Sequence, residues 1–101
     1  MQVQIVSKTG AGSSNAIVIN TNTNPVNIGF GVVVDGSVDY TVEHTFDSPA
    51  TGFTTWFPHP TIDGESTDMD GNYAFPITGV RVTVNSGGGT ATLNLVQAGI
   101  A

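Results

Sequence analysis

The side chains in this 101-residue chain that could move a proton or hold a cation are two histidines and eight acids. His44 continues the alternation Val38, Tyr40, Val42, which places it at the inner end of a core-facing row, where burial with a hydrogen-bond partner accounts for it. His59 lies in Trp56-Phe57-Pro58-His59-Pro60, a rigid extended segment that could present the ring at a surface as a base or metal ligand. No Cys or Ser stands at a spacing that would complete such a site. The run Asp63-Gly64-Glu65-Ser66-Thr67-Asp68-Met69-Asp70-Gly71 offers oxygen ligands to a hard cation. A calcium loop of the helix-loop-helix kind would need its glutamate six positions after Gly71, where the chain has Ile77, and flanking helices. A solvated acidic loop is the simpler expectation, with Asp68-Met69-Asp70-Gly71-Asn72 as a turn and Gly71 free to take positive φ. Asp39 and Glu43 lie on one polar strand face, which suits solubility better than the paired acids of glycoside hydrolysis. Gly87-Gly88-Gly89 joins two strands and precedes no helix, so it reads as a flexible hairpin tip and not as a phosphate cradle. The expectation is a protein that is not an enzyme, with no catalytic, cofactor or metal residue to nominate.

The elements that must carry these residues are strands. Val, Thr and Asn dominate, good helix formers are scarce, and no helix is expected. Strands are predicted at Gln2–Lys8, Ala16–Asn20, Val26–Val33, Ser37–Phe46, Thr54–Phe57, Asn72–Phe75, Val80–Asn85 and Thr90–Gln97, separated by Gly/Ser/Asn/Pro clusters. Around Asp35-Gly36 a three-residue loop Val34-Asp35-Gly36, with Gly36 left-handed, would pair Val33 with Ser37. Ile28, Phe30 and Val32 would then align with Val42, Tyr40 and Val38 on one apolar face, with Gly29, Gly31, Asp39, Thr41 and Glu43 on the other. A second hairpin is expected from Val80, Val82 and Val84 to Ala91, Leu93 and Leu95. Two hairpins with one apolar face each bury those faces together, which predicts a single all-β domain over 1–101, an antiparallel two-sheet β-sandwich of six to eight strands.

Between the hairpins, a long connection at 47–76 holds four of the five prolines, the single Trp and three of the five Phe. Long ordered connections are usually functional or contact-making. Phe53, Trp56, Phe57, Tyr73 and Phe75 either cap one end of the core, dock on a partner, or form a sugar-stacking platform.

The charge balance narrows the partners. Lys8 and Arg81 are the only Lys or Arg against eight acids, a formal net charge of −6, which leaves no basic patch for nucleic acid. No apolar run reaches the ~18–20 residues of a membrane span, and the first residues read as a strand and not as an export signal. With no cysteine, disulfides and thiolate zinc are excluded, so a small core is expected to gain stability from self-association or a partner.

Thr54-Thr55-Trp56-Phe57-Pro58-His59-Pro60, the stretch Met69-Asp70-Gly71-Asn72-Tyr73-Ala74-Phe75-Pro76-Ile77-Thr78-Gly79-Val80-Arg81-Val82-Thr83-Val84, and Thr92-Leu93-Asn94-Leu95-Val96-Gln97-Ala98-Gly99 together resemble small structural proteins of tailed bacteriophages. That resemblance implies a jelly-roll-like β-sandwich acting as a capsid decoration (cement) protein. Such a protein would be made in the host cytoplasm and bound outside the virion, on the major capsid protein, as a homo-oligomer (dimer or trimer). On this expectation the contact residues are Trp56, Phe57, His59, Tyr73 and Phe75, together with the edge strand Gln2–Lys8. The rivals are a tail or head-to-tail connector component and a carbohydrate-binding module.

Overall fold

The computed structural model describes residues 2–19 and 27–97. Nine strands occur there: β1 (Gln2–Thr9), β2 (Gly12–Ser13), β3 (Ile17–Val18), β4 (Ile28–Asp35), β5 (Asp39–Thr45), β6 (Phe57–Pro58), β7 (Met69–Tyr73), β8 (Gly79–Ser86) and β9 (Thr90–Gln97). No helix is present among the described residues. One antiparallel sheet has the order β1-β9-β4-β7; the other has β2-β8-β5-β6, with β3 also on β8. The expected all-β, two-sheet architecture is therefore observed. Asn20 and Val26, the outer ends of two expected strands, lie outside the described residues.

The two expected hairpins are not hairpins. β4 pairs along its whole length with β9, from Ile28 opposite Gln97 to Asp35 opposite Thr90, while β5 pairs with β8 in the other sheet. The chain therefore crosses from sheet to sheet at 36–38 and returns at 87–89, making two arches side by side. Alternation cannot distinguish the two arrangements, because an arch and a hairpin both put the same apolar row toward the core. Ile28, Phe30, Val32, Val38, Tyr40 and Val42 are buried as expected, as are Val80, Val82, Val84, Ala91, Leu93 and Leu95. The polar residues assigned to a single face are divided between the two sheets: Gly29 and Gly31 lie in β4, Asp39, Thr41 and Glu43 in β5.

The arches also correct the picture of a flexible glycine tip. The link from β1 to β2 is a third sheet-to-sheet crossing, and the three crossings are joined by hydrogen bonds: Gly10 N–H donates to the Gly89 carbonyl (3.1 Å), and Gly89 N–H to the Ser37 carbonyl (3.0 Å). Each has a left-handed glycine, Gly10 (φ +73°), Gly36 (φ +86°) and Gly87 (φ +96°), which L side chains resist. Gly36 thus adopts the expected conformation in an unexpected connection.

The long connection at 47–76 is ordered by the free edge of β5. His59 N–H donates to the Val42 carbonyl, Val42 N–H to the Ile62 carbonyl, and Tyr40 and Glu65 exchange both backbone bonds. Ile62 is fully buried as a result. The Tyr40 hydroxyl donates to the Thr67 carbonyl (2.6 Å); burial, then Glu65 and Asp68, push this phenol up to about 12. The expected strand at 54–57 shrinks to Phe57–Pro58, where Pro58 lacks the N–H a longer ladder needs. The expected turn at 68–72 is strand β7, and Gly71 has no positive φ. Its hydrogen leaves room instead: a Cβ there would meet Phe30 Cζ at 3.0 Å.

Candidate functional site

At the end of the sandwich away from the arches, alternation brings three strands' inner rows together. The β5 row starts at Val38, just before the strand, runs through Tyr40, Val42 and His44, and continues to Phe46, just beyond it. The β7 row reaches Tyr73 and continues to Phe75. Phe57 of β6 stands directly opposite His44. His44 and Tyr73 are buried, whereas Phe46, Phe57 and Phe75 remain 54%, 44% and 39% exposed.

The five rings form one cluster. His44 lies 5.4 Å from Phe46, 6.0 Å from Phe57, 5.0 Å from Tyr73 and 5.4 Å from Phe75, centroid to centroid. Phe46 is 5.7 Å from Phe57 and 6.2 Å from Phe75. Beneath the phenylalanines, Tyr73 OH and His44 Nδ1 are 3.0 Å apart. Burial, with a contribution from Glu43, holds the Tyr73 phenol protonated well above its usual range, so we assign it as the donor and place the ring proton of His44 on Nε2. Burial, and secondarily His59, push the His44 imidazole below its ordinary value. The pair is therefore an uncharged, hydrogen-bonded floor under an apolar surface.

The expected contact residues separate on this geometry. Phe57 and Phe75 are at the surface, and Tyr73 supports them from below. His59, expected to present its ring outward, is buried, its ring packed against Phe30 at 5.2 Å and Tyr73 at 5.0 Å. Its Nδ1 accepts from Thr61 N–H (3.1 Å) and its Nε2 donates to the Asn72 carbonyl (3.2 Å), so both nitrogens are used internally. Trp56 precedes Phe57 in the chain and takes the opposite side, beneath Arg81, whose guanidinium carbon is 4.2 Å from the ring centroid. Phe53 packs on Trp56 and over Gly79, where a Cβ would lie 3.1 Å from the Phe53 ring. The aromatics of 53–75 thus belong to two groups, one on the outer face of the second sheet and one between the sheets. Phe46 and His44 complete the second group. Their place was readable from the continued even-numbered alternation, although Phe46 stands outside the proline-rich stretch that draws attention.

Several of the acids are hydrogen-bonded within the domain. Glu43 Oε1 accepts from Arg81 Nε (2.8 Å) and from the Thr83 hydroxyl, and Asp39 accepts from Asn85 (2.9 Å). In the acidic run, Asp63 accepts from the Thr41 hydroxyl (3.1 Å) and Asp68 from Val34 N–H (2.8 Å). No group of three or more His, Cys, Asp or Glu side chains converges among the described residues. A shallow groove of about 300 Å³ lies beside β4, lined by Gly31, Val33, Asp68, Met69, Asp70 and Asn94.

The chain matches no protein-family model, no curated protein and no solved structure.

Proposed function

We propose that this chain is a virion structural protein, a decoration (cement) protein that docks on the outer lattice of a tailed bacteriophage capsid through Phe46, Phe57 and Phe75. The observation that carries it is the patch itself: three exposed aromatic rings fixed against one another on a buried His44–Tyr73 floor. Exposed apolar clusters mark interaction sites, and aromatics are favoured at interface cores. Each copy would contribute a small apolar contact to the major capsid protein, and many copies would add by multivalency. On this proposal the protein works by binding and not by catalysis, on the virion exterior after synthesis in the host cytoplasm.

The strand order supports a jelly roll as the finer description of the fold. β1 pairs with β9, β2 and β3 with β8, β4 with β7, and β5 with β6. These are the successive rungs of one long antiparallel ribbon, with its ends outermost and its middle innermost in the chain. Wrapping that ribbon sets β9 beside β4 and β8 beside β5. Jelly rolls serve viral capsid and lectin domains alike.

That shared use gives a second reading, a carbohydrate-binding module seated in the groove over Gly31 with Asp70 and Asn94 as polar contacts. Its lining holds no aromatic ring to stack on a sugar face. The phenylalanine patch favours docking.

Re-binding of purified protein to capsids that lack it tests the proposal. Native protein should bind and raise the particles' heat resistance, while Phe57→Ser/Phe75→Ser should keep its fold and lose binding. No re-binding by the native protein, or re-binding indifferent to those substitutions, refutes it.

A further inference from the structure

The two sheets have four lateral edges, and three are blunted. On the second sheet, β6 is two residues long and carries Pro58, and the opposite edge is divided between the two-residue strands β2 and β3. On the first, β7 is five residues with Gly71 at its centre and Asp70 beside it. Short length, proline and inserted charge are the devices by which sheets avoid edge-to-edge pairing. β1 has neither short length nor proline, and its one charge, Lys8, stands near its C-terminal end. It is eight residues, Gln-Val-Gln-Ile-Val-Ser-Lys-Thr, without Gly, Pro or acid, and among the described residues no strand pairs with it except β9. Val3 and Ile5 are 57% and 62% exposed, and β9 adds the exposed Val96 directly opposite Val3.

We infer that β1 is a self-association edge, pairing antiparallel with β1 of a second copy across a twofold axis at Gln4. Two arguments select a second copy as the occupant. The first is charge. All eight acids of the chain lie outside β1 and β9, and the one charged residue on those two strands is Lys8. A molecule of formal charge −6 meets its own like at this edge without bringing acids face to face. The second is self-complementarity, which an isologous contact requires. With the axis at Gln4, Val3 of each copy stands opposite Ile5 of the other, so both exposed apolar residues are paired twice over, while Lys8 falls beyond the overlap. With the axis at Ile5, Val3 would face Ser7 instead. The pairing joins two four-stranded sheets into one of eight and merges Val3, Ile5 and Val96 of both copies into one apolar strip.

The inference names the partner at one edge and does not rest on the capsid proposal. The phenylalanine patch is formed by β5, β6, β7 and their extensions, so one surface can pair copies while the other docks.

Mass measured in solution across a concentration series tests it, with the full chain and two double variants. The native protein should reach twice 10.4 kDa. Val3→Lys/Ile5→Lys places like charges opposite each other and should weaken the dimer by about tenfold or more, with circular dichroism unchanged because both positions are exposed. Val3→Lys/Ile5→Glu places opposite charges across both positions in the Gln4 register and should remain a dimer. In the Ile5 register the same variant would set Glu against Glu and dissociate. A native chain that stays at 10.4 kDa, a trimer, a dimer untouched by the Lys pair, or loss of the dimer in Val3→Lys/Ile5→Glu overturns the inference. A monomer that still re-coats capsids overturns this inference alone.

Discussion

Alanine at Gly87, Gly88 and Gly89 should have three different effects, although the sequence offers three identical residues. A Cβ on Gly87 would lie 2.2 Å from the Ser37 carbonyl oxygen and 3.0 Å from Val38 Cα, in a backbone with φ +96°. Holding alanine left-handed costs roughly 1–2 kcal/mol. Relieving the clash requires the neighbouring arches to part by roughly 1 Å, since carbon contacts settle near 3.5 Å. That parting breaks the Gly89 N–H bond to Ser37, worth about 1 kcal/mol net, and loosens Val38 where it enters the core. Gly87→Ala should therefore cost about 3 kcal/mol, which for a domain of this size lowers Tm by roughly 12–24 °C. On Gly89, whose φ is not positive, the Cβ would lie 2.4 Å from the Asp35 carbonyl oxygen and 2.9 Å from Ser37 N. Overpacking plus the same lost bond gives about 2–4 kcal/mol. A Cβ on Gly88 meets nothing within 4 Å and needs no unusual φ, so Gly88→Ala should stay within about 0.5 kcal/mol of native or gain slightly by stiffening the unfolded chain. Urea denaturation of the three single variants, followed by Trp56 fluorescence, measures all three. Equal tolerance at the three positions would mean a free hairpin tip and would refute interlocked arches.

Two further outcomes follow from the site. His44 has its ring held below the ordinary imidazole value by burial, so the unfolded chain binds its proton more readily than the native one. Its contribution is present above about 6.5 and is lost as pH falls below that value toward the depressed native one. Urea midpoints between pH 7 and 5 should accordingly decline less steeply in His44→Gln than in the native protein, and parallel declines would remove the buried imidazole as a cause. Trp56→Ala removes the ring beneath the Arg81 guanidinium and should cost about 1–2 kcal/mol. It should leave capsid binding unchanged, since Trp56 lies on the opposite side of the chain from Phe57; lost binding with the fold intact would place it in the docking surface.

The sequence by itself determined the all-β character and the inward rows of β4, β5, β8 and β9. Alternation is a local property with a period of two residues, so Phe30, Val32, Tyr40, Val42, Val82 and Leu93 could be assigned to the interior without knowing their partners. It also foretold the left-handed Gly36, because a tight connection there needs positive φ whichever way the strands leave it. Pairing was decided only in three dimensions. The choice between hairpin and arch depends on β9 and β8, more than 50 positions along the chain from β4 and more than 30 from β5. Once those ladders form, a further consequence follows that no local pattern contains: Gly87 and Gly89 become close-packed against the neighbouring arch while Gly88 between them stays open. The inward turn of His59 belongs to the same class, since it is set by bonds to Thr61 and Asn72 and by contact with Phe30. Side-chain periodicity told which residues leave water; long-range ladders told which of them meet, and the candidate surface exists only at that second level.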